Sequence, residues 1–261
     1  MTHFLPFVAA CLAASLSAAA HAQLPPPLEA ALSTPLTERT PLRMAMRWTM
    51  EGESVTFEMR PSGDGPPAYR LLEPDEAALS ERQREVWTSV TRERTPDAGD
   101  DEGSSRPGAG VNVGSVDFSG LRAAIGGRAT LEQTLPDGAL VYSFAPRAVP
   151  GGNETPEAML EALRGEVIVD PRRGELQRFR LFAADSFKPN LAARIDRFSL
   201  RQDYVHDATL DGPRFAAFEM SMAGSAAFQR FDRTMLIELL SVDWHDGEAA
   251  AETLGGDADS P

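Results

Sequence analysis

"LRGEVIVDPRRGELQRFRLF", Leu163 to Phe182, is the stretch on which the reading of this chain turns. Val167 and Val169 share one side of a first run, Asp170-Pro171 opens a turn, and Gly174 releases it. Phe179 and Leu181 then alternate with Arg178 and Arg180. Side chains on a strand point alternately to opposite faces, so the stretch predicts a hairpin with one apolar and one charged side. Just upstream, "TPEAMLEALRG" predicts a short helix with Thr155 as N-cap, Pro156 at the first helical position and Gly165 as terminator. Downstream, "ARIDRFSLRQDYVH", "GPRFAAFEMSMAG" and "AAFQRFDRTMLIELLSVDW" predict three more strands, the last two turning at Gly224-Ser225. Consecutive strands with short connections build an antiparallel sheet.

The N-terminal half carries the same alternation. In "RMAMRWTMEGESVTFEMRP", Met44, Met46, Trp48 and Met50 fall on one face and Arg43 and Arg47 on the other. After a turn at Glu51-Gly52, Val55, Phe57 and Met59 alternate with polar residues. "PAYRLL" predicts a third strand, and Pro136-Asp137-Gly138 a hairpin within "RATLEQTLPDGALVYSFAP". Leu79, Gln83, Val86, Trp87 and Val90 recur at helical spacing. Asp75 is one candidate cap and Ser80 with Gln83 a capping box. "SVDFSGLRAAIGG" predicts a shorter helix closed by Gly126, and Leu28, Ala31 and Leu32 one helix within the Pro-rich segment 23–41. The fold class expected is α+β: a curved antiparallel sheet, an incomplete barrel, with a few helices covering one face. One principal domain spans 42–244.

The termini and charge speak to location. "MTHFLPFVAACLAASLSAAAHAQ" is an apolar run ending in Ala20-His21-Ala22, the small-x-small pattern of a secretory cleavage site. It predicts a signal peptide over 1–22, cleaved after Ala22, and a periplasmic protein with no membrane span in the mature chain. Val8-Ala9-Ala10-Cys11 resembles a lipoprotein cleavage box, but too little chain precedes it, and lipid anchoring at Cys11 is not expected. Formal net charge is −14. Much of it lies in an acidic loop at 94–110 and an acidic tail at 245–261, both expected to be disordered. Nucleic acid and anionic membrane surfaces ask for a basic stripe that this composition does not supply. Arg178, Arg180, Arg194, Arg197 and Arg201 alternate with acids, which predicts cross-strand ion pairing on a wet face; docking of an acidic partner is the alternative.

Catalytic signatures fail one by one. Beyond Ala22 the chain has two histidines, His206 and His245, and no cysteine, so zinc and thiol chemistry lack donors. His206-Asp207 and His245-Asp246 are neighbours at strand ends and read as solvated turns. "GAGVNVG" misses dinucleotide spacing and reads as linker, and there is no Gly-x-Ser-x-Gly elbow. No enzyme, cofactor or metal is expected.

The order of elements, a hairpin-rich start, a helix, a short helix running into "LRGEVIVDPRRGELQRFRLF" and a long meander ending in "FQRFDRTMLIELLSVDW", resembles the outer-membrane lipoprotein carrier superfamily. The resemblance spans roughly Leu42 to Trp244 and rests on a strand-turn-strand with Asp-x-x-x-Gly. It implies a helix-lidded half-barrel whose apolar concave side shields acyl chains. From the residues themselves, Met44, Met46, Trp48, Met50, Phe57, Met59, Phe218, Met220, Met222 and Met235, with Leu236, form a candidate hydrophobic wall. Flexible, polarizable methionine adapts to irregular apolar ligands and equally fills ordinary cores. Two roles follow: a non-enzymatic protein holding a lipid, acyl chain or lipoprotein, or an envelope interaction or sensor protein with a filled core and a partner-binding surface.

Overall fold

The structure, a computed structural model, describes residues 24–33, 41–62, 66–92, 118–148, 157–190, 192–227 and 229–244. The expected signal, Cys11, acidic loop, tail, Thr155-Pro156 cap and His245-Asp246 lie outside them. Eleven strands among the described residues form one antiparallel sheet that does not close into a barrel. They are β1 (Pro41–Met50), β2 (Glu53–Arg60), β3 (Ala68–Glu73), β4 (Ala129–Thr134), β5 (Leu140–Phe144), β6 (Leu163–Asp170), β7 (Glu175–Ala183), β8 (Phe187–Asn190), β9 (Ala193–Asp207), β10 (Gly212–Ala226) and β11 (Gln229–Trp244). Spatial order is β3-β2-β1-β11-β10-β9-β7-β6-β5-β4, with β8 paired to β9. The fold class read from the sequence is the fold observed, and β8 is an addition to it.

Turn chemistry explains the local hairpins. Met50 pairs with Glu53, so the first loop has two residues, and both Glu51 (φ 50°) and Gly52 (φ 88°) take the left-handed backbone that matches strand twist. In the quoted hairpin, Asp170 Oδ1 accepts from the Arg172 amide at 2.9 Å and Gly174 N–H donates to the Asp170 carbonyl at 2.8 Å.

Among the described residues four α-helices accompany the sheet: α1 (Pro26–Ser33), α2 (Glu81–Arg92), α3 (Ser119–Ile125) and α4 (Glu157–Ala162). The capping box is present, since Ser80 N–H donates to Gln83 Oε1 and Gln83 N–H to Ser80 Oγ, each at 3.0 Å. Asp75 instead precedes a single 3-10 turn, Glu76–Ala78, and makes no side-chain cap. Gly126 closes α3 in the left-handed conformation, as its sequence predicts. Leu28, Ala31 and Leu32 bury the inner side of α1.

Two glycine assignments need correction. Gly165 does not terminate α4; it lies inside β6, paired with Phe144 and Leu181. A Cβ there would come within 2.1 Å of the Phe144 ring, so the aromatic covers the glycine and packs against its strand. Gly224 and Ser225 are not a turn either. They belong to the β10–β11 ladder, which continues to Ala226 opposite Gln229, and the chain reverses past Ala227 (φ 47°). At Gly224 a Cβ would meet the Arg194 carbonyl oxygen at 2.1 Å, beside a bulge in β9.

The main core joins α1, α2 and α3 to one face of the sheet through residues such as Leu28, Val86, Ile125, Val55, Val167 and Leu176. A second cluster, Leu163, Ile195 and Phe198, is joined by Met159 of α4 and Phe187 of β8. Strand alternation puts both clusters on the same side, called here the covered face.

Replacing Gly165 by Ala should destabilise the protein by about 1–3 kcal/mol, because the Phe144 ring must leave its well. Thermal unfolding of G165A, F144L and the double variant should show a less-than-additive loss; strict additivity would sever the proposed contact.

Candidate functional site

All ten expected wall residues are strand residues of the covered face. Met44, Met46, Trp48, Phe57, Phe218 and Met235 are buried within the main core; Met50, Met59 and Met220 lie at its margin; Met222 packs against the second cluster. Register makes them neighbours: Met44 opposes Met59, Met46 opposes Phe57, and Ile237 lies between Trp48 and Phe218. The upper wall is occupied by the chain itself. The Trp87 ring of α2 stands 5.9 Å from Phe57, Tyr69 of β3 lies 6.0 Å from it, and Val86 and Val90 are buried in the same cluster. Leu236 does not join the wall. One residue out of phase with Met235 and Ile237, it lines the opposite face beside Thr49 and Glu219.

Between the two clusters runs a cross-strand row that is neither core nor open surface. Met50, Met235, Met220, Leu200 and Leu181 are successive ladder partners on β1, β11, β10, β9 and β7. All except Met235 are only partly buried; Met222 lies one row further and Phe231, opposite Gly224, two rows further, both also partly buried. One pleat from Met50, the Trp48 indole Nε1–H is buried without a hydrogen-bond partner among the described residues. An unpaired donor in an apolar wall costs about 1–3 kcal/mol, which an acceptor entering the site would recover.

The other face, here the bare face, is a lattice of charge. Asp203 meets Arg178 at 2.6 Å, and Arg201 at 2.9 Å through a charge contact that is not an aligned hydrogen bond. Arg201 also meets Glu219 at 2.9 Å; Arg180 meets Glu166 at 3.4 Å, Arg197 meets Asp232 at 2.7 Å and Arg194 meets Asp196 at 2.7 Å. The cross-strand ion pairing expected for these five arginines is observed for Arg178, Arg180, Arg197 and Arg201, whereas Arg194 pairs within its own strand, because a bulge in β9 brings Asp196 beside it. At the other end of the sheet Glu58 is buried among Arg60 (2.8 Å), Arg70 (3.0 Å) and Arg43 (3.6 Å). Burial pushes its carboxyl up, but the hydrogen bonds and charges of Arg60 and Arg70 outweigh that and hold it below the usual carboxylate value. A shallow groove of about 640 Å³ runs along this face between Thr49, Leu236, Leu240 and Arg201.

A part-buried polar cluster at the strand ends escaped the sequence reading. His206 Nδ1 lies 2.8 Å from Oε1 of Glu175, a buried carboxylate, and not against its neighbour Asp207. Each is three residues beyond the last β7–β9 pair, Arg178 with Asp203, so continuation of that register brings them together. Asp207 turns to Arg214 Nε at 3.0 Å and accepts the Thr209 amide at 2.8 Å. Burial raises its carboxyl, while the Thr209 amide, the Trp244 side chain and the Arg214 charge bring it below the ordinary value. Both His206 and Asp207 close β9 in part-buried positions, where solvated turns were expected. The signal lay in Glu175 opening the strand after the quoted turn, visible only once β7 and β9 are known to be neighbours. A histidine held by a carboxylate is oriented, with its second nitrogen left for a proton or a ligand. Among the described residues no group of three or more His, Cys, Asp or Glu is placed to hold a metal.

The Glu58 and Asp207 shifts set a sign for acid unfolding. A carboxyl held below its unfolded value stabilises the fold above that value and loses the contribution as pH falls through the lower, folded one. Starting from unfolded values of 4.5 and 3.8, wild-type stability should fall as pH drops below these values, and E58Q should flatten the upper part of that loss. Urea midpoints measured from pH 7 to pH 2 check this; parallel curves for the two proteins would contradict it.

Comparisons with protein-family models, with curated proteins and with solved structures found no match to this chain.

Proposed function

We propose that this chain is an exported, non-enzymatic binding protein that holds an acyl chain, free or carried by a lipid or lipoprotein, along the row from Met50 to Leu181. The observation that carries the reading is the row itself: partly buried apolar side chains, two of them methionine, join two closed apolar clusters on one sheet face. Four strand spacings make the row about 19 Å long, which an extended alkyl chain of about fifteen carbons would span at single-bond lengths. Aliphatic and thioether side chains offer such a chain dispersion contacts without polar competitors, and the Trp48 N–H offers a donor for a carboxylate or ester oxygen at one end. The secretory signal over 1–22 and the resemblance to lipoprotein carriers agree with this role.

A second reading is favoured by the closure of the upper wall. Met44, Met46, Trp48 and Phe57 lie under the chain's own elements, as in an envelope interaction protein whose core is filled and whose surface meets a partner.

The two readings separate in one set of measurements. For the acyl-chain protein, mass spectrometry of an organic extract of purified material shows lipid, and the protein takes up a fluorescent fatty acid. M220D weakens that uptake about tenfold or more with its thermal transition retained, while L236D on the bare face leaves it unchanged. An empty extract with no fatty-acid uptake would overturn the carrier, and crosslinking in cells to a discrete envelope protein would then support the second role.

A further inference from the structure

We propose that the far end of the bare face carries a binding site for a phosphate group, formed by Arg194 and Arg230. Ser225 of β10 is the direct ladder partner of Arg194 on β9 and of Arg230 on β11. Directly paired residues project to the same side, so two guanidinium side chains flank one small hydroxyl with their Cα atoms about 10 Å apart. The neighbouring row on the same face shows what this geometry permits. Ala223 is the partner of both Arg197 and Asp232, and these two reach over it to a 2.7 Å bond. In the Ser225 row the acid of that arrangement is replaced by a second cation, and an anion from outside supplies the missing negative charge.

The other charged groups near the row are already engaged. Arg194 donates through Nε to Asp196 at 2.7 Å and through a terminal nitrogen to Ser186 Oγ at 2.9 Å, leaving its other terminal nitrogen. Asp232 is held by Arg197. Arg230, paired with Ser225 through the ladder, has no side-chain ion pair or hydrogen bond among the described residues. Three arginines against two aspartates leave this end positive in a chain of net charge −14.

A groove of about 660 Å³ opens between the two arginines, floored by Gly224 and Ser225 and bordered by Phe231. That size suits a small organic molecule. Phosphate is preferred over carboxylate because its tetrahedral oxygens accept from the Arg230 fork and from the remaining terminal nitrogen of Arg194 in different directions, where a carboxylate offers a single edge. The ligand class is a phosphate monoester whose organic part lies along this groove beside Ser225. The site is on the opposite face from the acyl row and stands independently of it.

Titration of the purified chain with inorganic phosphate and with glycerol phosphate, by calorimetry or NMR, tests the site. Saturable binding of about millimolar strength is expected for inorganic phosphate, weakened about tenfold by Arg230→Gln. Arg233→Gln removes the same charge from the covered face, opposite Met222, and should leave binding unchanged. Arg230→Asp, which would close an ion pair with Arg194 over Ser225, should abolish binding with thermal stability retained. Sedimentation with phosphatidic-acid vesicles and not with phosphatidylcholine vesicles, lost in Arg230→Gln, supports the site and assigns the phosphate to a lipid headgroup. Binding of the monoester without sedimentation supports it as a site for a soluble ligand. No saturable phosphate binding, equal binding of acetate, or equal weakening by the Arg230 and Arg233 variants would overturn the proposal.

Discussion

β1 pairs with β11, the first long strand with the last, in a register running from Pro41 opposite Trp244 to Met50 opposite Met235. Every other neighbouring pair in the main path is close in sequence, while this one closes a loop of nearly the whole described chain. Without it, β1–β3 would be a separate three-stranded ribbon whose apolar side is covered by α2 alone. With it, Ile237 comes to lie between Trp48 and Phe218, and α2 covers a wall built from both ends of the protein. Closing so long a loop costs entropy, and burial of the apolar row on both sides of the seam offsets it.

The two faces of the resulting sheet solve different problems. On the covered face, helices and aromatic contacts such as Phe118 with Tyr204 exclude water. On the bare face, neighbouring strands bring like charges side by side: Arg180 directly opposes Arg201. Such a pair alone would repel, but Glu166 takes one arginine while Asp203 and Glu219 take the other. Individual exposed pairs of this kind contribute only about 0–1 kcal/mol, so their effect is to let arginine-rich strands lie together rather than to drive folding. The exception in burial is Glu58, enclosed by three arginines from three strands.

The proposed functions divide along the same line. An apolar row at the margin of the helix cover offers contact to a hydrocarbon, and an unbalanced arginine row at the far end of the charged face offers contact to an oxyanion. Each arises where a repeating pattern is interrupted, the first where helix cover stops between two clusters, the second where an aspartate position is taken by Arg230.

Period-two alternation determined a great deal locally. It placed Met44, Met46, Trp48 and Met50 on one side and the arginines on the other, and Glu51-Gly52, Asp170-Pro171 and Ser80 with Gln83 marked turns and a helix start, because these signals act within a few residues. Alternation also shows why Leu236 belongs with Thr49 and not with Met235. Gly165 and Gly224 misled because a glycine that admits a ring or a carbonyl looks the same, in one dimension, as a glycine that ends a helix or turns a hairpin. Strand order, the seam between β1 and β11, the share of the methionine wall covered by helices, and the meeting of Glu175 with His206 were decided only in three dimensions. Those features depend on which distant strands become neighbours, and hydrophobic burial, which selects those neighbours, is non-directional and leaves no local mark on the chain.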